Sequence, residues 1–356
     1  MIRKKYNINV LKAAERRILE TFNRNEYVSM SFSGGKDSIC LADVTLKTML
    51  KYNIDFSRLI VIFFDEEAIY PDIERITKDW RNKFISYGAK FYWFCLPIKH
   101  YNTCNQLAND ESFICWEPQK QNVWVRPMPK FAIRNHKKFR MGQTYQDFAK
   151  SLMRGIPQMV GLRVAESVQR LGAIASITKS SFVYPLYDWK DDDVWLYLQR
   201  EQLDYPETYI YLYKVGVPKN KLRISQFFSI DTIKSLPKVL EFYPDLYQRV
   251  IRREPNADLA FLYYDTDMFR SSKQGRKHNE NKDYKKILSD AIKKAIKKPS
   301  DYSDFGTVKK LLSKMVLPNY SNEIYQRIYQ ILIAGDPKKR TYRSVLLKIN
   351  KENGNG

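Results

Sequence analysis

YVSMSFSGGKDSICLADVTL, residues 27–46, joins an apolar run to a helical pattern through a turn holding two glycines, a lysine and two serines. Backbone N–H groups in a glycine-containing turn that opens a helix form a concave anion site. Gly34 and Gly35 let a phosphate approach the main chain, Lys36 adds a point charge, and the hydroxyls of Ser33 and Ser38 add donors. The guest that suits such a turn is a pyrophosphate. The spacing does not match G-x-x-x-x-G-K-[ST], because no earlier glycine stands at the needed offset from Lys36. It does not match G-x-G-x-x-G either.

Outward from the turn the pattern alternates. Residues 8–24 place Ile8, Leu11, Ala14, Ile18, Leu19 and Phe22 at helical spacing. YVSMSF then reads as a strand, and DSICLADVTLKTMLKYN as a helix that Asp37 or Ser38 would cap. RLIVIFFD is a second strand. PDIERITKDWRNKFISYG follows as a helix with Pro71 in its first turn and Gly88 at its end, and AKFYWFCLP is a third strand. The series predicts an α/β fold: a parallel, five-stranded-type sheet with helices on both faces and its ligand site at the carboxyl ends of the strands.

At 356 residues the chain is long enough for two domains. The expected division is a nucleotide-binding domain at 1–217 and a basic, mainly helical domain at 218–356. The longest apolar run, LIVIFF at 59–64, is strand-sized and far short of a membrane span, so a soluble chain without a membrane partner is expected. The basic start lacks the apolar centre of a signal peptide, and Cys40, Cys95, Cys104 and Cys115 fall in no paired spacing; both suit a cytoplasmic protein with reduced thiols. The net charge of +22 divides unevenly, with 29 Lys+Arg against 15 Asp+Glu from Gly216 onward, or +14. That surplus points to a polyanionic partner, or to a solvated basic surface.

SFSGGKDS resembles the PP-loop of the adenine nucleotide alpha-hydrolase-like superfamily, which includes the N-type ATP pyrophosphatases and the phosphoadenosine phosphosulfate (PAPS) reductases. Residues Ser33 to Ser38 match its SGGKDS signature letter for letter. FFDEEAIYPDIERI is similar to the reductase segment D-T-G-x-x-F-P-E-T, with Asp65, Tyr70, Pro71 and Asp72 in register and Glu66 and Glu67 where threonine and glycine are usual. QMVGLRVAESVQRLGA, residues 158–173, resembles G-x-R-x-x-E-S-x-x-R; Arg163 and Arg170 lie seven apart, which on a helix is one face, and arginine forks suit phosphate or sulfate oxygens. VYPLYDWKDDDVWLYL resembles the family segment that follows, with Asp191 to Asp193 read as a helix cap.

The resemblance implies an enzyme that holds ATP, or PAPS, with the loop residues Ser33, Gly34, Gly35, Lys36, Asp37 and Ser38 on the phosphates. It implies adenine contacts from main chain near Phe32, Phe64, Gly161 and Leu162, and anion contacts from Arg163 and Arg170. Lys36, Asp37 and Arg163 are the implied catalytic residues, with Mg2+ at Asp65 and Glu66. ATP cleavage between the alpha and beta phosphates, activating a substrate for sulfur transfer or nucleic-acid modification, is the favoured activity. PAPS reductase chemistry and a non-catalytic, nucleotide-gated DNA-binding or transcriptional regulator are the alternatives. FYWFCLPIKHYN and ICWEPQKQNVWVRPMPK narrow the likeness to a subgroup typified by the bacterial proteins IbrA and YbdN, for which a ParB-like protein is an implied partner.

The reductase chemistry needs a thiolate in an E-C-G-x-H tail, and this chain has no cysteine after Cys115. Cys104 or Cys115 could substitute only if its loop reached the site. The cysteine spacing fits no iron–sulfur cluster, and His100, His136 and His278 supply no metal motif. Residues 118–146 carry Lys120, Arg126, Lys130, Arg134, Lys137, Lys138 and Arg140 without one acid, interleaved with Trp124, Phe131 and Phe139. Such a segment suits a lid over the nucleotide or a contact to nucleic acid. Residues 270–298, with eleven Lys+Arg against three acids, form a second candidate nucleic-acid surface.

Overall fold

The computed structural model describes residues 9–102, 104, 112–164, 182–229, 232, 235–258, 283–299, 302–336 and 339–354. The chain forms two compact units, Met1–Thr266 and Asp267–Gly356.

The first unit is built on five parallel strands: β1 (Val28–Ser31), β2 (Leu59–Phe64), β3 (Lys90–Phe94), β6 (Gln158–Met159) and β7 (Phe182–Val183), in the order β3-β2-β1-β6-β7. The first three strands are laid outward from β1 on one side, and β6 returns to its other side. The direction of winding therefore reverses between β1 and β6, where an open α/β sheet leaves a crevice at the carboxyl ends of its strands.

LIVIFF shows why the sheet needs cover on both faces. Leu59 and Val61 join a core with Ile18 and Phe22 of α1 (Val10–Arg24), Ile39 and Met49 of α2 (Lys36–Lys51), and Ile76, Trp80 and Phe84 of α3 (Pro71–Ser86). Ile60 and Ile62 point the other way, to Phe94, Leu96, Ile98 and, from α4 (Tyr145–Leu152), Phe148. A strand buried on both faces reads as a continuous apolar run for this reason. A separate antiparallel ribbon pairs β4 (Lys99–Tyr101) with β5 (Ser112–Ile114).

The free edge of β3 is covered. The Ile133 N–H donates to Trp93 O at 2.8 Å and its carbonyl accepts from Cys95 N at 3.0 Å, a one-residue parallel bridge supplied by the basic, aromatic insertion.

The unit closes with α5 (Asp191–Arg200), α6 (Thr208–Lys214), α7 (Leu236–Leu240) and α8 (Pro244–Arg253). The described residues of 218–258, assigned to a second domain on composition, pack within the first unit. Tyr70 meets the rings of Phe227 and Tyr243, Thr208 Oγ1 lies 3.0 Å from the Tyr243 hydroxyl, and Arg253 reaches Glu67. The division at 266/267 is thus later than the change in charge at 216–218 suggests.

The second unit contains α9 (Tyr284–Lys297), α10 (Phe305–Leu312), α11 (Asn322–Ala334) and α12 (Arg340–Glu352) around Leu288, Val308, Leu311, Ile324, Ile328, Val345 and Ile349. Asp283 and Asp304 cap α9 and α10 through the N–H groups of Lys286 and Thr307. Among the described residues no helix is long and apolar enough to cross a membrane.

Candidate functional site

The turn after β1 and the arm after β6 meet at the switch point. α2 begins at Lys36 with Gly35 as its cap, so neither Asp37 nor Ser38 caps it. Instead Ser38 ties the turn together: its Oγ donates to Gly35 O at 2.8 Å, accepts from Ser33 N at 3.2 Å, and lies 3.2 Å from Ser33 Oγ. Gly34 sits at φ +71°, and a Cβ there would fall 2.8 Å from Thr77 Oγ1 and 3.1 Å from Ile73 Cγ2. Glycine is needed at this position for conformation and for space. The Thr77 hydroxyl beside it is buried without a hydrogen-bond partner among the described residues.

Gly161 brings the second strand end into contact. A Cβ on it would lie 3.0 Å from Asp37 O and 3.3 Å from Ser38 N, so the β6 arm rests directly on the first turn of α2. Phe32, Phe64 and Leu162 stand at the carboxyl ends of β1, β2 and β6. The Phe32 ring is buried among Trp80, Phe84 and Phe91, and its N–H donates to Ile62 O.

Lys36 and Arg163 are both buried at this junction, and both are neutralised from within. Lys36 Nζ donates to Leu222 O at 3.1 Å and lies 3.3 Å from Asp37 and 3.5 Å from Asp191. Arg163 Nε donates to Asp37 Oδ1 at 2.5 Å and its Nη2 to Asp191 Oδ1 at 3.3 Å. Arg163, expected to reach outward for an anion, is thus held by two carboxylates. It also stands in an irregular segment, so the argument that Arg163 and Arg170 share a helical face has no footing at its first member; Arg170 lies outside the described residues. Asp191, read as a helix cap, belongs to the site. Its other oxygen accepts from Trp195 Nε1 at 2.9 Å. Three consecutive aspartates exceed what one cap requires, and that excess was the available signal.

The carboxylates after β2 do different work. Asp65 Oδ2 accepts from Trp93 Nε1 at 2.7 Å and from Arg126 Nη2, and Oδ1 accepts from Glu67 N at 3.1 Å. Glu67, at φ +65°, accepts from Trp116 N at 2.6 Å, from Val125 N at 3.1 Å and from Arg253 Nε at 2.8 Å. These acids organise the loop. The Asp65 oxygens are already engaged, so the Asp65–Glu66 pair does not fit a Mg2+ ion, which needs lone pairs aimed at one point. No group of three or more His, Cys, Asp or Glu among the described residues is arranged to hold a metal, and His278 lies outside them.

Glu66 differs from its neighbours. Its side chain keeps about a quarter of its surface (28%), with His100 Nε2 3.8 Å away. Burial first, then the negative charge of Asp65, pushes its carboxyl from the ordinary 4.5 up to about 7. Because the folded value is raised, its contribution to stability is intact below pH 4.5 and lost as the pH rises to 7. Glu66→Gln should leave stability unchanged near pH 4 and raise it by about 1–3 kcal/mol at pH 8, a range reduced from the full shift for partial exposure. Urea unfolding at the two pH values checks this.

All four cysteines are buried, and burial pushes each thiol up, Cys104 to about 12. Cys115 also faces the charges of Glu66, Glu67 and Asp65. A nucleophilic thiolate requires the opposite environment.

The insertion at 118–146 divides in two. Arg126 turns inward to Asp65 and Glu74, and Phe139 packs on Phe148. Lys130, Arg134, Lys137 and Arg140 are exposed and form no ion pair among the described residues. Phe131 is exposed beside them, with the Arg81 guanidinium 4.0 Å over its ring. Of 270–298, residues 283–298 are described; 270–282 are not.

No protein-family model matches the chain. It is 29% identical over 282 residues to uncharacterized protein YbdN of Escherichia coli (strain K12), covering 72% of this chain and 68% of that one. It is 26% identical over 196 residues to uncharacterized protein MJ0066 of Methanocaldococcus jannaschii, covering 51% of this chain and 33% of that one. Among solved structures, Candida glabrata FMN adenylyltransferase gives a TM-score of 0.36 at 15% identity over 57% of this chain and 58% of that one. The U34-tRNA thiolase NcsA of Methanococcus maripaludis gives 0.32 at 16% identity over 70% and 80%.

Proposed function

We propose that the chain is a PP-loop adenine-nucleotide enzyme that cleaves ATP between the alpha and beta phosphates to activate an acceptor. One observation carries this reading. The Ser33–Ser38 turn and the Gly161–Arg163 arm converge at the point where the sheet reverses its winding, with two buried cations at the junction. In this reading the amides that open α2 hold the beta and gamma phosphates, and a nucleophile on the acceptor attacks the alpha phosphorus. The alpha–beta bridging oxygen leaves with pyrophosphate. Lys36 and Arg163 stabilise the charge gathering on that leaving group, as fixed cations in a dry site do. Buried thiols held protonated argue against sulfonucleotide reduction by Cys104 or Cys115.

The exposed cations of 130–140, with Phe131 among them, favour nucleic acid as the acceptor over a small molecule, since phosphates and a base could be met together. The same surface would serve a regulator without turnover. Pyrophosphate release on adding ATP and RNA or DNA separates the two. Lys36→Ala should weaken ATP binding by about 10- to 100-fold, the worth of one charge-assisted contact, and abolish release. Calorimetry that finds the same affinity for variant and parent sinks the reading.

A further inference from the structure

We propose that Tyr209 is a placeholder for a phosphate oxygen, and that α6 with its following loop forms a strap that a diphosphate ligand must displace to enter. The proposal rests on reading residues 33–38 as a phosphate cradle.

Three positions that a bound diphosphate would use are occupied by the chain itself. The Lys36 N–H, at the head of α2, donates to the Tyr209 hydroxyl at 3.1 Å. The Lys36 ammonium donates to Leu222 O at 3.1 Å and lies 5.4 Å from the centre of the Tyr209 ring. The positive charge of Lys36 and Arg163 is balanced by Asp37 and Asp191. Tyr209 is 4% exposed, and a Cβ on Gly35 would come within 3.1 Å of its hydroxyl, so no oxygen can reach the Lys36 N–H while that hydroxyl stays.

Two of these occupants, the Tyr209 hydroxyl and the Leu222 carbonyl, are weak competitors. Burial holds the Tyr209 phenol in its neutral form, and Leu222 offers a neutral carbonyl. A phosphate presents charged oxygens to the same donors, and charge-assisted hydrogen bonds are roughly twice as strong as neutral ones. The strap is anchored by hydrogen bonds at its start and by packing of Leu212 and Tyr211 further on. Thr208 donates from its N–H and its hydroxyl to Asp72 at the start of α3. Within α6, Ile210 and Tyr213 are exposed; beyond it, Gly216 turns at φ +90° in open space and Lys219 pairs with Asp192 at the surface. Tyr209 itself leans edge-on against Trp195 at 5.6 Å. Displacement would exchange the Tyr209 and Leu222 contacts to Lys36 for those of the ligand, at the cost of loosening the Leu212 and Tyr211 packing.

Inorganic pyrophosphate is the probe, titrated by calorimetry into the full chain, its Tyr209→Phe variant and its Lys36→Ala variant. Tyr209→Phe keeps the ring and its packing while leaving the Lys36 N–H without an acceptor, so pyrophosphate should bind about 5- to 10-fold tighter, one neutral hydrogen bond's worth of competition. A thermal melt confirms that the variant is folded. If the parent binds through Lys36 and Tyr209→Phe binds equally or more weakly, the placeholder is overturned while the cradle stands. If neither the parent nor Tyr209→Phe binds pyrophosphate or ATP, the cradle falls and the placeholder with it. Binding by Tyr209→Phe alone would support both.

Discussion

Arg253→Met should lower the unfolding free energy of the first unit by about 3–5 kcal/mol, the cost of breaking a fully buried ion pair. Arg253 and Glu67 are 1% and 0% exposed, and Arg253 also donates to Ile114 O at 2.8 Å. Burial already raises the Glu67 carboxyl, and Arg253 is the largest of the influences that lower it. Without the guanidinium the folded value rises further above the unfolded one. The penalty should therefore be small near pH 4, where Glu67 is protonated in both states, and should grow as the pH rises. Urea unfolding at pH 5 and pH 8 reads this directly. Arg253→Met with Glu67→Gln should recover most of the loss, because no unpaired charge remains. A pH-independent loss would instead assign the effect to packing.

Gly34→Ala should damage both stability and binding. A side chain at φ +71° costs about 1–2 kcal/mol in backbone strain alone, and the new Cβ would stand 2.8 Å from Thr77 Oγ1. Together these should destabilise the unit by about 2–4 kcal/mol. Because the strain falls on the turn that aims the α2 amides, ATP affinity should drop by about 30-fold or more. The Thr77 hydroxyl has no hydrogen-bond partner among the described residues, so Thr77→Ala alone should be nearly neutral. Combined with Gly34→Ala it should restore part of the lost stability by removing the atom in the way. Equal losses in the single and double variants would show that backbone conformation, not contact, sets the need for glycine.

The parallel sheet was legible because it rests on local signals. The SGGKDS turn, the apolar run LIVIFF and Pro71 at the start of α3 are each decided within a few residues. What escaped depends on long-range contact. Tyr209 and Leu222 reach Lys36 from 173 and 186 residues away, and one tyrosine in YIYLYK carries no mark that sets it apart. Arg126 was grouped with the exposed cations of its segment, since charge density along a chain does not reveal which side chain turns inward. The start of α12 carries little local signal: it follows Lys339 at φ +51°, and the carboxylate that accepts from its first N–H groups, Asp336, stands four residues before Arg340 and not at the cap position.

The bridge at Ile133 gives the insertion a role apart from any ligand. Excising residues 118–146 would free Trp93 O and Cys95 N and leave the edge beside FYWF without that bridge. Such a flank is a template for another copy of the same strand, and protein chemists meet its consequence as precipitation. A shortened chain made to test whether the segment is a lid would then fail by self-association before any enzymology could be done.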